Sequence, residues 1–164
     1  MLDVDGLRND PDFKKEFNLH MNDENLKIAQ DSLVGRGANF AQRIAVLSQL
    51  ISESGGETKS HGNGAYGLVG WRGERAKNLP KTLSGQLHYL MTELFANPKG
   101  TNWSHGGDGT GINTGKEMYE FFNSTENTRQ ATAAMTRGYV RPEAHENDRR
   151  KRLSELIKKY MKLP

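Results

Sequence analysis

The feature that most constrains the fold is an apolar helical pattern over residues 40–53 that stops at two glycines. Hydrophobic residues recur at spacings of four, three and four along one face: Phe40, Ile44, Leu47 and Ile51. Gly55-Gly56 follows as a C-terminal stop, because glycine readily adopts the left-handed conformation that ends a helix. A helix with such a face must be covered by other elements, so we expect this face to be buried.

Glu53 leaves the last turn of this helix near the edge of its buried face. The helix C-terminus carries partial negative charge and apolar neighbours reduce solvation, so both disfavour an ionised carboxylate there. A general acid must carry its proton near neutral pH, which is the state that such a position favours. Glu53 is therefore a candidate proton donor, although a solvated glutamate at a helix end fits the same spacing.

The remaining sequence carries further amphipathic helical patterns and one short region of turn-forming residues. Helical spacing recurs over residues 83–95, 114–122, 126–137 and 146–161. Residues 57–66 contain Asn63-Gly64, a strong signal for a tight turn, and predict a small hairpin or an irregular lobe. We predict a mainly α fold of the α+β kind, in which residues 38–164 form the main domain. Residues 1–37 form a helical N-terminal segment packed on it.

Composition excludes several classes of protein. The chain contains no cysteine, which excludes disulfides and thiolate chemistry, and it has no apolar stretch long enough to span a membrane. The net charge of +3 and the basic run Arg149–Arg152 fit a solvated surface as well as an anionic polymer. The N-terminus, MLDVDGLRNDPDFKK, is acidic where a signal peptide requires a basic start. If the protein acts outside a cytoplasm, we therefore expect a larger polypeptide, a virion or a secretion machine to carry it there.

Two polar regions resemble ligand sites only in part. GGDGTG at 106–111 looks like a phosphate-binding loop, but no strand precedes it and the Lys-Ser/Thr ending is missing. His61 has no second His or Cys at ligand spacing, and Asp108 lacks the further acids of a calcium loop. We expect no metal and no cofactor. The loop over residues 97–113 is long for a compact domain, which is typical of a functional or mobile segment.

Three short motifs occur in the order found in a known group of proteins. They are Glu53-Ser54 at a helix end, Gly67-Leu68-Val69-Gly70-Trp71 soon after it, and Tyr139-Val140-Arg141-Pro142 at the end of a late helix. On these motifs the chain resembles the lysozyme-like superfamily, and within it the phage tail lysozyme group. That group is similar to goose-type lysozymes and soluble lytic transglycosylases. The resemblance covers residues 38–161 and implies a lysozyme-like fold with the small lobe beside an active-site cleft.

The resemblance implies a role for each matching residue. Glu53 corresponds to the catalytic acid of these families, and the glycine-rich turn corresponds to a wall of the sugar cleft. Substrate-binding residues are expected among Ser54, His61, Asn63, Tyr66, Gly67, Leu68, Trp71 and Tyr139. The families usually have Gln before the Trp, where this chain has Gly70, so one hydrogen bond to the sugar is missing or is supplied elsewhere.

Glycoside cleavage ordinarily uses two carboxylates, and the sequence leaves the second one open. Glu57 lies four residues after Glu53, and Asp108 lies in the long loop, but neither matches well. With a second carboxylate at a suitable distance, water is activated and the bond is hydrolysed. Without one, Glu53 acts first as acid and then as base while the 6-hydroxyl of muramic acid attacks, which is the route of the similar transglycosylases.

We therefore expect a muramidase that cleaves the β-1,4 bond between N-acetylmuramic acid and N-acetylglucosamine in bacterial peptidoglycan. Two alternatives stay open: a lytic transglycosylase that produces anhydro-muropeptides, and a non-catalytic glycan-binding module on the same fold. A nucleic-acid-binding helical protein is a third class, but a solvated helix face explains its basic run equally, and we expect no nucleic-acid partner. The expected place of action is the periplasm or cell wall, with delivery in a virion, a phage tail assembly or as a secreted effector.

Overall fold

The computed structural model describes residues 1–62, 64–107 and 109–162, and helices dominate this part of the chain. The α-helices are α1 (Val4–Asn9), α2 (Asp23–Gly35), α3 (Phe40–Glu53), α4 (Glu74–Lys77), α5 (Leu83–Phe95), α6 (Gly115–Ser124), α7 (Thr128–Ala134) and α8 (Glu146–Tyr160). Two further segments, Phe13–Phe17 and Met135–Val140, are π-helical. Strands β1 (Ser60–Gly62) and β2 (Ala65–Tyr66) form an antiparallel pair with an irregular register. The predicted mainly α fold with one small hairpin is confirmed.

Helix α3 is the centre of the core because almost its whole circumference is apolar or buried. It packs against α7 and α8 on one side and against α2 on another. A capping box fixes its beginning: the Asn39 side chain accepts a hydrogen bond from the backbone of Gln42, whose side chain accepts one from the backbone of Asn39. The last residue of α3 is Glu53, as the sequence predicts, so this carboxylate stands on a rigid element.

Side-chain caps begin several of the other helices. Asn22 caps α2 by accepting a hydrogen bond from the backbone N–H of Asn25. Thr114 caps α6 through the backbone N–H of Glu117. The Glu117 carboxylate accepts a hydrogen bond from the backbone N–H of Asn113. These local bonds set where the helices start.

The N-terminal segment shares one hydrophobic core with the remainder of the described chain. Leu7, Phe13 and Leu26 are buried in the same cluster as the apolar face of α3. The segment also meets the end of α8, where Leu2 forms an isolated antiparallel bridge with Met161. The division at residue 37 stays a prediction, since the packed core is continuous across it.

Asp10 joins the N-terminal segment to α8. Its carboxylate accepts hydrogen bonds from the Tyr160 hydroxyl and, at 3.2 Å, from the Lys159 ammonium group. Backbone N–H groups at the start of the first π-helical segment donate to the same carboxylate. The bond from Tyr160 has the largest effect, and together these bonds lower the pKa of Asp10 to about 2, against the opposing effect of burial.

We expect Asp10→Asn to lower the thermal unfolding temperature at neutral pH, because the folded state stabilises the ionised carboxylate. The folded-state pKa is about 2, below the unfolded value of about 3.9. The stabilisation is therefore complete above about pH 5 and is lost as the pH falls towards 2. Circular dichroism melts of both proteins should show a difference that shrinks on acidification. The exposed Asp5→Asn is the matched control and should change little; a pH-independent difference for Asp10→Asn would contradict the assignment.

Candidate active site

A cleft of about 660 Å³ opens where the end of α3 meets α4 and the segment between the second π-helical segment and α8. Its lining is strongly charged and includes Glu53, Glu143, Glu146, Arg72, Arg75, Arg141 and Arg150. The backbone of Gly70, in the turn that follows β2, forms another part of the wall. Residues that are distant in the sequence thus meet around the end of α3.

The carboxylate of Glu53 is partly exposed in this cleft and is held by a buried arginine. Arg150 Nη2 donates to Glu53 Oε1 at 3.0 Å, and only 2 % of the Arg150 side chain is exposed. The same guanidinium donates to Gln49 Oε1 at 2.6 Å and to Glu146 Oε1 at 3.1 Å. Oε2 of Glu53 faces Gly70, because a Cβ added at residue 70 would lie 3.0 Å from it. One oxygen of Glu53 is therefore anchored, and the other is directed at the glycine-rich turn.

The ion pair with Arg150 opposes the expectation that its surroundings keep Glu53 neutral. A neighbouring positive charge favours an ionised carboxylate, whereas the helix end and apolar contacts disfavour it. Arg150 follows Glu53 by 97 residues, so helical spacing gives no indication of the pair. Its charge is shared with Glu146, however, and the three groups together carry one net negative charge when both carboxylates are ionised.

Glu146 is a second carboxylate in the cleft that the sequence reasoning missed. Its Oε1 and Glu53 Oε1 lie 3.1 and 3.0 Å from the same nitrogen of Arg150, so the two oxygens are no more than about 6.1 Å apart. Burial raises the pKa of Glu146, but the hydrogen bond and charge of Arg150, aided by Arg149, outweigh it and lower the pKa. The detectable signal was an acid four residues before an arginine at the start of the last helix.

Neither of the carboxylates proposed from the sequence as a partner of Glu53 is found in the described lining of this cleft. Glu57 Oε1 accepts hydrogen bonds from Asn22 at 2.8 Å and from His20 at 3.1 Å. These two bonds, the one from Asn22 first, lower the pKa of Glu57. Glu57 thus binds the segment that precedes α2, and Asp108 lies outside the described residues.

The turn from Tyr66 to Trp71 contributes its backbone to the cleft wall. Tyr66 and Trp71 exchange two backbone hydrogen bonds of 2.9 Å, which close the turn. Gly67 has a φ of +82°, and a Cβ there would lie 2.8 Å from both Gln86 Oε1 and Leu79 Cδ2, so the packing requires glycine. At Gly70, where the similar families usually carry Gln, a Cβ would lie 3.0 Å from Glu53 Oε2, so the absence of a side chain lets the turn approach this oxygen.

Ser54 and His61 bind the turn rather than the cleft in this structure. Ser54 Oγ donates to the carbonyl oxygen of Leu68 at 2.7 Å, which ties the end of α3 to the turn. His61 Nε2 lies 2.6 Å from the carbonyl oxygen of Gly67, so this nitrogen carries the proton and donates it. Leu68 is buried and Tyr66 is half-buried. Asn63, another predicted binding residue, lies outside the described part of the chain.

Trp71, at the end of the turn, is joined to Tyr139 in the interior of the protein. Both are buried, and Trp71 Nε1 donates to the Tyr139 hydroxyl at 3.0 Å. The Tyr139 hydroxyl donates in turn to the buried carboxylate of Glu93, and burial together with Glu93 raises the pKa of Tyr139. This chain of bonds joins the turn, the second π-helical segment and α5. Direct sugar contact by either ring stays a prediction. The sequence analysis did not identify Glu93, although an acidic residue within the apolar stripe of α5 indicates a buried carboxylate that needs hydrogen-bond partners.

The long polar loop joins a second recess of about 400 Å³ beside the cleft. This recess shares Arg141, Pro142 and Glu143 with the cleft and reaches Gly106 of the loop. Arg137 Nε donates to the carbonyl oxygen of Gly106 at 3.1 Å, which fixes the loop on the second π-helical segment. The cleft and this recess together form a continuous surface that extends from Glu53 to Gly106.

Three arginines of the basic run at the start of α8 contact other parts of the chain. Arg149 stacks on the ring of Phe17 at 5.0 Å, Arg150 is buried, and Arg152 pairs with Glu16. Within residues 1–62, 64–107 and 109–162, no group of three His, Asp or Glu side chains could hold a metal ion. In the same ranges, no helix has the length and apolar character needed to cross a membrane.

Comparison with known proteins gives one match. The family model described as phage tail lysozyme matches residues 24–161. No curated protein and no solved structure matches the chain. The matched region contains the whole of the cleft described above, and it begins within α2, earlier than the motifs that carry the resemblance.

Proposed function

The chain belongs to the phage tail lysozyme family, and from this premise we propose that it is a muramidase whose general acid is Glu53. Family membership supports a lysozyme-like function on peptidoglycan. The observation that carries the finer proposal is the asymmetry of the Glu53 carboxylate. Arg150 binds Oε1, while Oε2 lies close to the backbone of Gly70 at the wall of the cleft.

In the proposed reaction, the proton resides on Oε2 of Glu53 and passes to the oxygen that bridges two sugars. The bond between this oxygen and the anomeric carbon breaks as the proton is transferred, and an oxocarbenium-like transition state forms. We assign the proton to Glu53 and the negative charge to Glu146, because Glu146 pairs with Arg149 as well as with Arg150. One proton on the pair leaves the three groups neutral, which offsets the repulsion between two carboxylates.

Glu146 is the proposed base in the second half of the reaction. It lines the same cleft and is ionised at neutral pH, so it can accept a proton from water as the water oxygen bonds to the anomeric carbon. Its nearest oxygen lies within about 6.1 Å of Glu53. An upper limit of about 6.1 Å admits the separation of about 5–5.5 Å of retaining enzymes, in which Glu146 would attack the anomeric carbon, and lies just below the 6.5–9.5 Å of inverting ones, in which it activates water. The configuration of the new reducing end therefore distinguishes the two courses.

We expect Glu146→Gln to reduce hydrolysis of purified peptidoglycan about 100-fold, the usual size of a general-base contribution. Mass spectrometry of the released muropeptides measures both rate and product, and wild-type products should carry a free reducing end. Glu143→Gln is the matched control, because Glu143 is exposed in the same cleft and contacts only His145 among the described pairs. It should retain near wild-type activity.

Two other outcomes would replace the proposal. Products that carry a 1,6-anhydro ring in place of the reducing end identify a lytic transglycosylase, with Glu53 as both acid and base. Binding to peptidoglycan without release of soluble fragments identifies a glycan-binding module. In either case Glu146 is not the base that activates water.

The proposed setting follows from the family. A phage tail lysozyme domain suggests action on the bacterial cell wall as part of a virion. We propose that a glycan strand binds in the cleft and that a phage tail assembly delivers the protein to the cell wall. Co-purification of the protein with intact phage particles tests this delivery route.

A further inference from the structure

The cleft carries more positive charge than the proposed reaction uses. Arg150 is neutralised between Glu53 and Glu146. Arg75 and Arg141 line the same cleft, and within the described chain neither guanidinium forms an ion pair or a hydrogen bond. Two cations thus face the space in which a substrate would lie.

Arg75 is held in place by stacking on the Tyr139 ring and not by a hydrogen-bond acceptor. Its guanidinium carbon lies 4.5 Å from the centre of the buried Tyr139 ring. Its Nε and Nη2 atoms are buried without a hydrogen-bond partner in the described structure. Both atoms are shielded from solvent, so Nη1 is the nitrogen through which Arg75 can reach an acceptor in the cleft. A hydrogen bond from an arginine to a carboxylate is charge-assisted and about twice as strong as one between neutral groups.

Arg141 lines the same cleft as Arg75 and follows the second π-helical segment. Its φ of +56° is left-handed, and its backbone N–H caps that segment by donating to the carbonyl oxygen of Thr136. Burial, and after it the charge of Arg75, lowers the pKa of the Arg141 guanidinium. An anion bound between the two arginines would relieve the repulsion between their charges.

We propose that Arg75 and Arg141 bind a carboxylate of the glycan substrate, carried either by the lactyl group of muramic acid or by the peptide attached to it. This inference rests on the proposed function and specifies its substrate. Neutral polymers of N-acetylglucosamine lack such a group, so the arginine pair distinguishes peptidoglycan from chitin-like strands. When the peptide is present, the lactyl carboxyl is consumed in an amide bond, and the anion then comes from the peptide.

The test compares three ligands: strands with peptides, strands stripped of peptides by an amidase, and neutral oligomers of N-acetylglucosamine. For Arg75→Gln and Arg141→Gln we expect the KM and Kd of the anionic strands to rise about tenfold, with kcat little changed. The Kd of the neutral oligomers should not change. Lys77→Gln is the matched control, because it removes the same charge from the same short helix outside the cleft. Arg141 is only partly buried, so Arg141→Gln keeps the test valid if Arg75→Gln does not fold.

The pattern of losses identifies the source of the carboxylate. A loss confined to stripped strands assigns it to the lactyl group, and a loss confined to peptide-bearing strands assigns it to the peptide. An equal loss on all three ligands, or no loss on any, overturns the proposal. Because Kd is measured without turnover, an inactive protein that still prefers anionic strands would contradict the muramidase and leave the carboxylate site standing.

Discussion

Glu53→Gln is expected to reduce the release of muropeptides from purified peptidoglycan by a factor of about 10²–10⁴ without loss of the fold. Gln keeps the shape of the side chain and an oxygen that can accept the hydrogen bond from Arg150 Nη2. It has no acidic proton to transfer to the bridging oxygen. Muropeptide release measured by mass spectrometry reports the activity, and a thermal melt reports the fold.

Glu57→Gln provides the matched control for this experiment. The same chemical change is made four residues further along, on a carboxylate that binds Asn22 and His20 instead of lining the cleft. Its activity should stay near that of the wild type. Full activity of Glu53→Gln, or an equal loss in both variants, would remove Glu53 from the role of acid.

Arg150→Met should cause the largest loss of stability, about 3 kcal/mol in the free energy of unfolding, at the lower end of the range for a broken buried ion pair. The substitution leaves Glu53, Glu146 and Gln49 without their common donor. The lower end applies because the carboxylates keep 21 % and 15 % of their side-chain exposure, and water offsets part of the cost. Urea unfolding followed by circular dichroism measures the difference.

Two comparisons separate the ion-pair network from other effects of the substitution. Arg152→Met removes an exposed pair with Glu16, which is worth at most about 1 kcal/mol. Adding Glu146→Gln to Arg150→Met removes one uncompensated charge and should recover part of the lost stability, with a coupling energy of about 0.5–3 kcal/mol. If Arg150→Met is no more harmful than Arg152→Met, the network does not stabilise the fold.

Many helix boundaries were predictable because their signals are local. Asn22 and Asn39 stand directly before the first residues of α2 and α3, and each caps its helix by bonding a backbone group only three residues away. The stop at Gly55 was equally visible, and the helix there ends at Glu53 as expected. The two π-helical segments were not predicted, because their apolar residues also fit an ordinary α-helical repeat.

The roles of the turn residues were harder to read. Sugar contact by Trp71 and Tyr139 stays a prediction, and the structure adds that both rings are buried in a line of hydrogen bonds that ends at Glu93. An aromatic residue next to glycines fits a binding surface and a buried support equally well in sequence. Burial depends on what packs above the ring, and α4 supplies part of that cover when Arg75 stacks on Tyr139.

The amino-acid sequence alone establishes that a carboxylate stands at the end of a buried central helix, opposite a glycine-rich turn. Apolar periodicity, capping and the glycine stop act over a few neighbouring residues, so they can be read directly. Only the tertiary packing establishes what surrounds that carboxylate. Arg150 and Glu146 contact Glu53 from α8, which is too far along the chain for any local pattern to indicate the contact. Electrostatic energy depends on the distance between charges in space, and the chain folds back over 97 residues to set that distance.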